Sequence, residues 1–334
     1  MSMPPPNDRR RLLRGTAALA LGAPAMLKHA LSEAQEAAFP NRPVHFVVPF
    51  AAGSGTDITA RTYAKAISDL TGHSVVVENK AGANGIIGVK TVLSAPADGY
   101  TVFFASNSTL TANAALLKQL PYDPVRDFDM LGGLDASNCM LVVPAASRYR
   151  TLADLVNDAR ARPGRLNNAA GSAMYGLWNA WFNELADVKT VNIFYKGSGE
   201  AVTAAASGQV DYSIVAGGAI TPMLQGGRIR ALLYAGSRRH PLVPDVPTSA
   251  DAGMPDFQAR AWTASAVRSG TPLPIQRDLE QLFARAGKHP DVLRAAEVQG
   301  AEIMMLNAAA MRRFQVDEIN RWKRLVAATG ITIE

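Results

Sequence analysis

Four short stretches place small, hydroxylated or acidic residues where a strand would hand over to a helix. They are Gly53-Ser54-Gly55-Thr56-Asp57, Gly82-Ala83-Asn84, Gly171-Ser172-Ala173-Met174-Tyr175-Gly176 and Gly197-Ser198-Gly199. Such loops present free backbone N–H groups at a helix N-terminus, where about half a positive charge accumulates. The chemistry on offer is capture of an anion by main-chain donors. Asp57 is expected to cap the helix after the first loop, and Ser198 the helix after the last. One loop alone reads more readily as an ordinary βα turn, since neither the phosphate-loop nor the dinucleotide fingerprint is present. Four in one chain point to a carboxylate or phosphate site built mostly from backbone.

Catalytic groups are not assembled in the same way. Gly197-Ser198-Gly199 lacks the spacing of a nucleophile elbow, and His45, His73, His240 and His289 are not paired at metal-ligand spacing. Asp57 and Asp211 could form an acid/base pair, but no nucleophile accompanies them. The one cysteine, Cys139, precedes Met140-Leu141-Val142-Val143 and reads as a small buried hydrophobe; alone, it excludes an intramolecular disulfide. No metal and no cofactor is expected. Binding is the leading reading, and an enzyme acting on a small organic acid is the alternative.

The elements that must position these loops alternate. Val44–Val48, Ser74–Asn79 and Thr101–Ala105 read as strands separated by helical segments, the third ending in Ser106-Asn107-Ser108-Thr109. Met140–Pro144, Asn167–Ala170, Val191–Lys196, Gly208–Val215, Ile229–Ala235 and Trp262–Val267 continue the series, and helical segments run from Pro274 to the end. This is an α/β pattern of parallel-type sheets, with ligands expected at the carboxyl ends of strands. The 334 residues, 48% hydrophobic, suit two domains and a cleft between them. The chain crosses near Asp135–Asn138 and returns at Trp262, which gives domain 1 as 39–137 and 261–334, and domain 2 as 138–260. Five cations and three acids fall within residues 1–38, so the remainder carries +4 of the formal +6, with no basic run of the kind that binds nucleic acid.

Several motifs resemble the tripartite tricarboxylate transporter substrate-binding proteins, the Bug or TctC-like periplasmic receptors. They include Pro49-Phe50-Ala51-Ala52-Gly53 through Asp57 and Arg61, Asn79-Lys80-Ala81-Gly82-Ala83 with Ile87-Gly88, and Ala97-Asp98-Gly99-Tyr100-Thr101. Further along are Tyr195-Lys196-Gly197, Gly208-Gln209-Val210-Asp211, Gly227–Leu232, Pro244-Asp245-Val246-Pro247-Thr248 and Trp262. The match spans about residues 39 to 330. It implies the type II-like two-domain periplasmic binding protein fold, and capture of a dicarboxylate, citrate-like or aromatic acid by loop backbone and bridging waters. The positions expected to face the ligand are Phe50, Ala52, Gly53, Ser54, Asp57, Ser106 and Ser108 from domain 1, and Gly171, Ser172, Met174, Tyr175, Tyr195, Gly197, Ser198 and Asp211 from domain 2. Membrane subunits of such a transporter, or a sensor protein, are the partners the resemblance implies, and the receptor is expected to be a monomer. The chain departs from the family pattern at Ser54 between two glycines, at Gly176 for histidine, at Phe194 for proline, at Asp251 for glutamate and at Ala264 for glycine.

The N-terminus fits an exported protein. Asp8-Arg9-Arg10-Arg11-Leu12-Leu13-Arg14 resembles a twin-arginine signal, and the weakly apolar segment from Gly15 to Leu27, broken by Pro24, is too short to span a bilayer. Residues 1–38 are therefore expected to be a cleaved export signal, delivering the chain to the periplasm. Replacing Arg9 and Arg10 together by lysine should leave full-length precursor in the cytoplasm, read by fractionation and immunoblotting; normal periplasmic delivery would refute the twin-arginine assignment.

Overall fold

Val44-His45-Phe46-Val47-Val48 is rich in β-branched and aromatic residues and forms the first strand, β1 (Val44–Val48), with all but His45 buried. The structure is a computed structural model describing residue 1 and residues 39–216, 220–240 and 243–330; the export signal expected over the first 38 residues lies, from residue 2 on, outside the described residues. In chain order there follow α1 (Gly55–Thr71), β2 (Val75–Asn79), α2 (Ile86–Ser94) and β3 (Thr101–Ser106), then the long strand β4 (Phe128–Asn138) and β5 (Met140–Pro144). Next come α3 (Leu152–Ala161), β6 (Asn167–Ala170), α4 (Ala173–Ala186), β7 (Val191–Phe194), α5 (Ser198–Ala206), β8 (Ser213–Val215) and β9 (Ile229–Tyr234). The chain ends with β10 (Arg260–Arg268), α6 (Leu273–Ala286), α7 (Pro290–Gln299), β11 (Ala301–Asn307) and α8 (Ala308–Thr329).

One six-stranded sheet has the order β11-β4-β10-β3-β1-β2, while β5, β8 and β9 form a three-stranded sheet and β6 and β7 a pair. The expected α/β class holds, but the sheets are mixed rather than parallel throughout. β1 is parallel to β2 and β3, as strands joined through helices must be. β10 is antiparallel to both β3 and β4, because the chain leaves the large sheet along β4 and returns along β10. A second difference concerns the C-terminal part, expected to be helical throughout. Gly300, at φ 60°, stops α7, and Ala301–Asn307 pairs with β4 as an edge strand. Met304, Met305 and Leu306, none of them β-branched, carry helix propensity, which pairing with β4 overrides.

Two aromatic cores brace the halves. Under the large sheet Phe46 and Phe104 lie 5.4 Å apart, and Phe283 of α6 stacks on Phe46 at 5.5 Å. Around α4, Phe182 packs edge-on to Phe257 at 6.0 Å, and Trp181 meets Trp322 of α8 at 5.8 Å. Cys139 is buried, as expected of a small hydrophobe.

Helix α2 sits so close to the end of β1 that a Cβ at Gly88 would lie 2.8 Å from Pro49 Cα. The obstacle is backbone and cannot rotate away. Gly88→Ala should therefore destabilise the fold by about 1–3 kcal/mol, seen as a lower urea midpoint at unchanged slope; an unchanged midpoint would mean that α2 shifts freely.

Candidate functional site

The loop between β1 and α1 is held from behind. Ser54, not Asp57, is the N-cap of α1: its Oγ accepts from Asp57 N–H at 3.2 Å. Asp57 is the third helical residue and reaches back to accept from Gly53 N–H at 2.9 Å, one residue beyond the cap that a capping box would engage. Its carboxylate also accepts from Asn79 Nδ2 at 2.9 Å and Arg61 Nε at 3.1 Å. Asn79 in turn donates to the Phe50 carbonyl at 3.0 Å. Thus Asp57, Arg61 and Asn79 tie the first turn of α1 to the ends of β1 and β2. Burial raises the Asp57 pKa, but the bonds from Arg61, Gly53 and Asn79 outweigh it and hold the carboxyl below its ordinary 3.8.

In front of this brace lies a cavity with room for a few water molecules. Three of the four anion-type loops converge on it, and Gly82–Asn84 contributes no lining residue. Of the expected positions, Phe50, Ser54, Ser106, Ser108, Gly171, Ser172, Tyr175 and Ser198 line the cavity. The others do not. Ala52 and Gly53 are exposed on the outer side of the loop, and Asp57 is turned into the brace. Met174 is fully buried in the core around α4, because it faces the helix side opposite the cavity. Tyr195 packs against the alanine-rich contact of β6 and α5. Asp211 accepts from Asn167 N–H at 2.7 Å and serves the β6 edge. Gly197, rather than Ser198, is the N-cap of α5; this leaves Ser198 Oγ free to accept from Gly55 N–H at 3.4 Å.

Residues outside the expected set complete the wall. Asp135, Ser137, Ala261, Trp262 and Thr263 come from β4 and β10, where those strands lie side by side. The sequence marked this place only as the crossing, near Asp135–Asn138 and at Trp262. Thr59, on the first turns of α1, donates to Asp135 at 2.8 Å, and Thr263 bonds the other Asp135 oxygen. Nine serine and threonine side chains line the cavity, and among the described residues no lysine, arginine or histidine does. Helices α4 and α5 begin here without side-chain caps. Their first-turn N–H groups are the positive ends of the site. Burial pushes the Tyr175 hydroxyl pKa well up, against its bonds to Ala216 backbone and Ser198, so it stays protonated. The two walls touch directly: Ser108 Oγ donates to Ser172 Oγ at 2.7 Å, and Ala51 N–H reaches the Lys196 carbonyl at 3.5 Å.

Two α/β domains on crossing strands, with a polar cavity between them, define a periplasmic binding protein, and solved structures of such proteins share the fold. MatC from Rhodopseudomonas palustris, solved with bound malate, is 31% identical with a TM-score of 0.81, over 86% of this chain and all of that one. Another R. palustris protein, solved with adipate, is 30% identical with a TM-score of 0.84, over 88% of this chain and 99% of that one. Protein BugT of Bordetella pertussis is 33% identical across 89% of this chain and 92% of its own length. Residues 59–331 match the tripartite tricarboxylate transporter family receptors, and the chain belongs to that family. Its members are substrate-binding proteins, which leaves the enzyme alternative unsupported.

Asp57→Asn should cost about 1–2 kcal/mol at neutral pH, through the lost charge-assisted bonds. Because the folded pKa lies below 3.8, that stabilisation is present above the unfolded value and disappears as pH falls through the folded one. The gap between wild type and variant, followed by urea titration from pH 7 to pH 2.5, should close below about 3.8; a gap that persists unchanged at pH 2.5 would show that the carboxylate charge is not what is lost.

Proposed function

We propose that the protein is a periplasmic receptor that captures a small mono- or dicarboxylate in this cavity and closes over it, for tripartite tricarboxylate-type uptake or for sensing. The observation that carries the reading is a hydroxyl-lined cavity at uncapped helix N-termini, with no cationic side chain among the described residues of its wall. Main-chain donors can hold a carboxylate there without burial of a lysine or arginine, whose desolvation would oppose binding. The malate and adipate held by two relatives are acids of this kind. The ligand-facing set that follows is Phe50, Ser54, Ser106, Ser108, Gly171, Ser172, Tyr175 and Ser198, joined by the β4 and β10 residues. Export by the twin-arginine signal, delivery to membrane subunits or a sensor, and action as a monomer complete the reading. Domain 1 comprises 39–137 and 261–334 and domain 2 comprises 138–260, in agreement with the division of strands between the large sheet and the smaller ones.

Closure can be tested without touching the cavity wall. A Cβ at Gly199 of α5 would lie 3.1 Å from the Gly53 carbonyl across the cleft, outside the cavity lining. Gly199→Leu should wedge the cleft open and weaken binding tenfold or more, since only the closed population binds tightly. Calorimetry against succinate, malate, citrate, adipate and benzoate, with small-angle scattering to follow compaction, decides the matter. Tight, closure-coupled binding of an acid returned unchanged is expected for wild type; binding of a neutral sugar and of no acid would overturn the proposal.

A further inference from the structure

Among the described residues of the cavity wall, Asp135 is the one that does not suit a plain carboxylate. Its side chain is 7% exposed and lines the space that would receive an anion. The groups bonded to its carboxyl are the Thr59 hydroxyl, the Thr263 hydroxyl and its own N–H. None is a cation. While Asp135 is ionised, a second carboxylate brought beside it meets like charge in a space shielded from water, where such repulsion is strong. Burial without a counter-charge raises the Asp135 pKa, which shows how poorly the protein alone compensates the ionised group.

The backbone aims this group on purpose. β4 pairs Asp135 with Thr263 and Gly133 with Ala264, which leaves Leu134 as an extra residue. On the other side of β4, the register with β11 also slips between Ile303 and Leu306, with Met305 at φ 47°. Bulges of this kind re-aim a side chain. Here both neighbours of β4 are irregular beside the residue that points at the ligand space. Thr59 and Thr263 then fix both oxygens, so the carboxyl cannot turn away.

We propose that Asp135 is a specificity residue, which makes the receptor select acids carrying a hydrogen-bond donor, a hydroxyl or an ammonium, over the same carbon skeleton without one. The inference rests on the carboxylate-receptor reading above. The ligand carboxylate sits at the helix N-termini, and its O–H or N–H donates to the remaining lone pairs of Asp135. Thr59 and Thr263 are positioning residues that hold the acceptor. A hydroxyl satisfies the acceptor; an ammonium also neutralises its charge, and a comparison of hydroxy and amino acids separates these two sources of the donor.

The experiment is calorimetry on the full mature chain with matched acids: succinate, malate and aspartate at four carbons, then glutarate, 2-hydroxyglutarate and glutamate at five. One hydrogen bond to a charged acceptor is worth about tenfold to a hundredfold in affinity. Wild type should therefore prefer malate or aspartate to succinate, or the corresponding five-carbon acids to glutarate, by at least tenfold. In Asp135→Asn that preference should fall below threefold, chiefly through loss of affinity for the donor-bearing acid. Equal binding of donor-bearing and plain acids by wild type would overturn this inference and leave the receptor reading standing; so would an unchanged preference in the variant. Binding of no acid at all would overturn the receptor reading, and this one with it. Should Asp135→Asn not fold, the wild-type ranking decides alone, and Thr263→Val, which frees the carboxyl to rotate, should narrow the preference as well.

Discussion

The antiparallel pairing of β4 with β10 is the constraint on which the rest of the structure depends. It runs from Arg260 opposite Asn138 to Arg268 opposite Phe128. The chain enters the region of smaller sheets by one strand and leaves it by the other, so both connections pass through the same narrow place. Residues on these strands necessarily lie where the two halves meet. Asp135, Ser137, Trp262 and Thr263 are there for that reason, and they form the wall nearest the crossing. Glu318 of α8 fastens the same place from outside. It accepts from the Trp322 indole at 3.1 Å and the Trp262 indole at 3.4 Å, and so joins a cavity residue to the aromatic core around α4.

The cavity solves an electrostatic problem by geometry. A buried lysine would bind an acid strongly but would need the acid in place to compensate its own burial. Helix termini carry only partial charges, fixed by the backbone, and hydroxyls adapt by rotation. The carboxylate that follows the first loop, Asp57, is turned away from the cavity and compensated by Arg61. It shapes the loop without opposing the anion. The carboxylate that does face the cavity, Asp135, is clamped by threonines rather than by a cation.

Two departures from the family pattern are physically one. Gly176 stands where the pattern has histidine, and Phe194 where it has proline. A Cβ at Gly176 would fall 2.8 Å from Phe194 Cζ. The Phe194 ring therefore occupies the room that a side chain at position 176 would need. Together the two residues set the contact between α4 and β7.

Much was legible in the sequence by itself. Runs of β-branched residues announced β1, β2, β3 and β5, and the glycine and serine loops announced three of the helix starts that meet at the cavity. These are local effects, set by side-chain branching, capping and backbone freedom over a few neighbours. Tertiary structure decided what local chemistry leaves open. Ser54 rather than Asp57 caps α1, because Asn79 and Arg61, from β2 and the next turn of the helix, claim the Asp57 carboxylate. β11 is a strand because β4 offered a free edge, although its own residues favour a helix. Met174 went to the core, and Asp135 and Thr263 came to the cavity. The side of a helix or strand that a residue occupies becomes inside or outside only when a partner 76 or 128 residues away packs against it, as Thr59 and Thr263 do with Asp135.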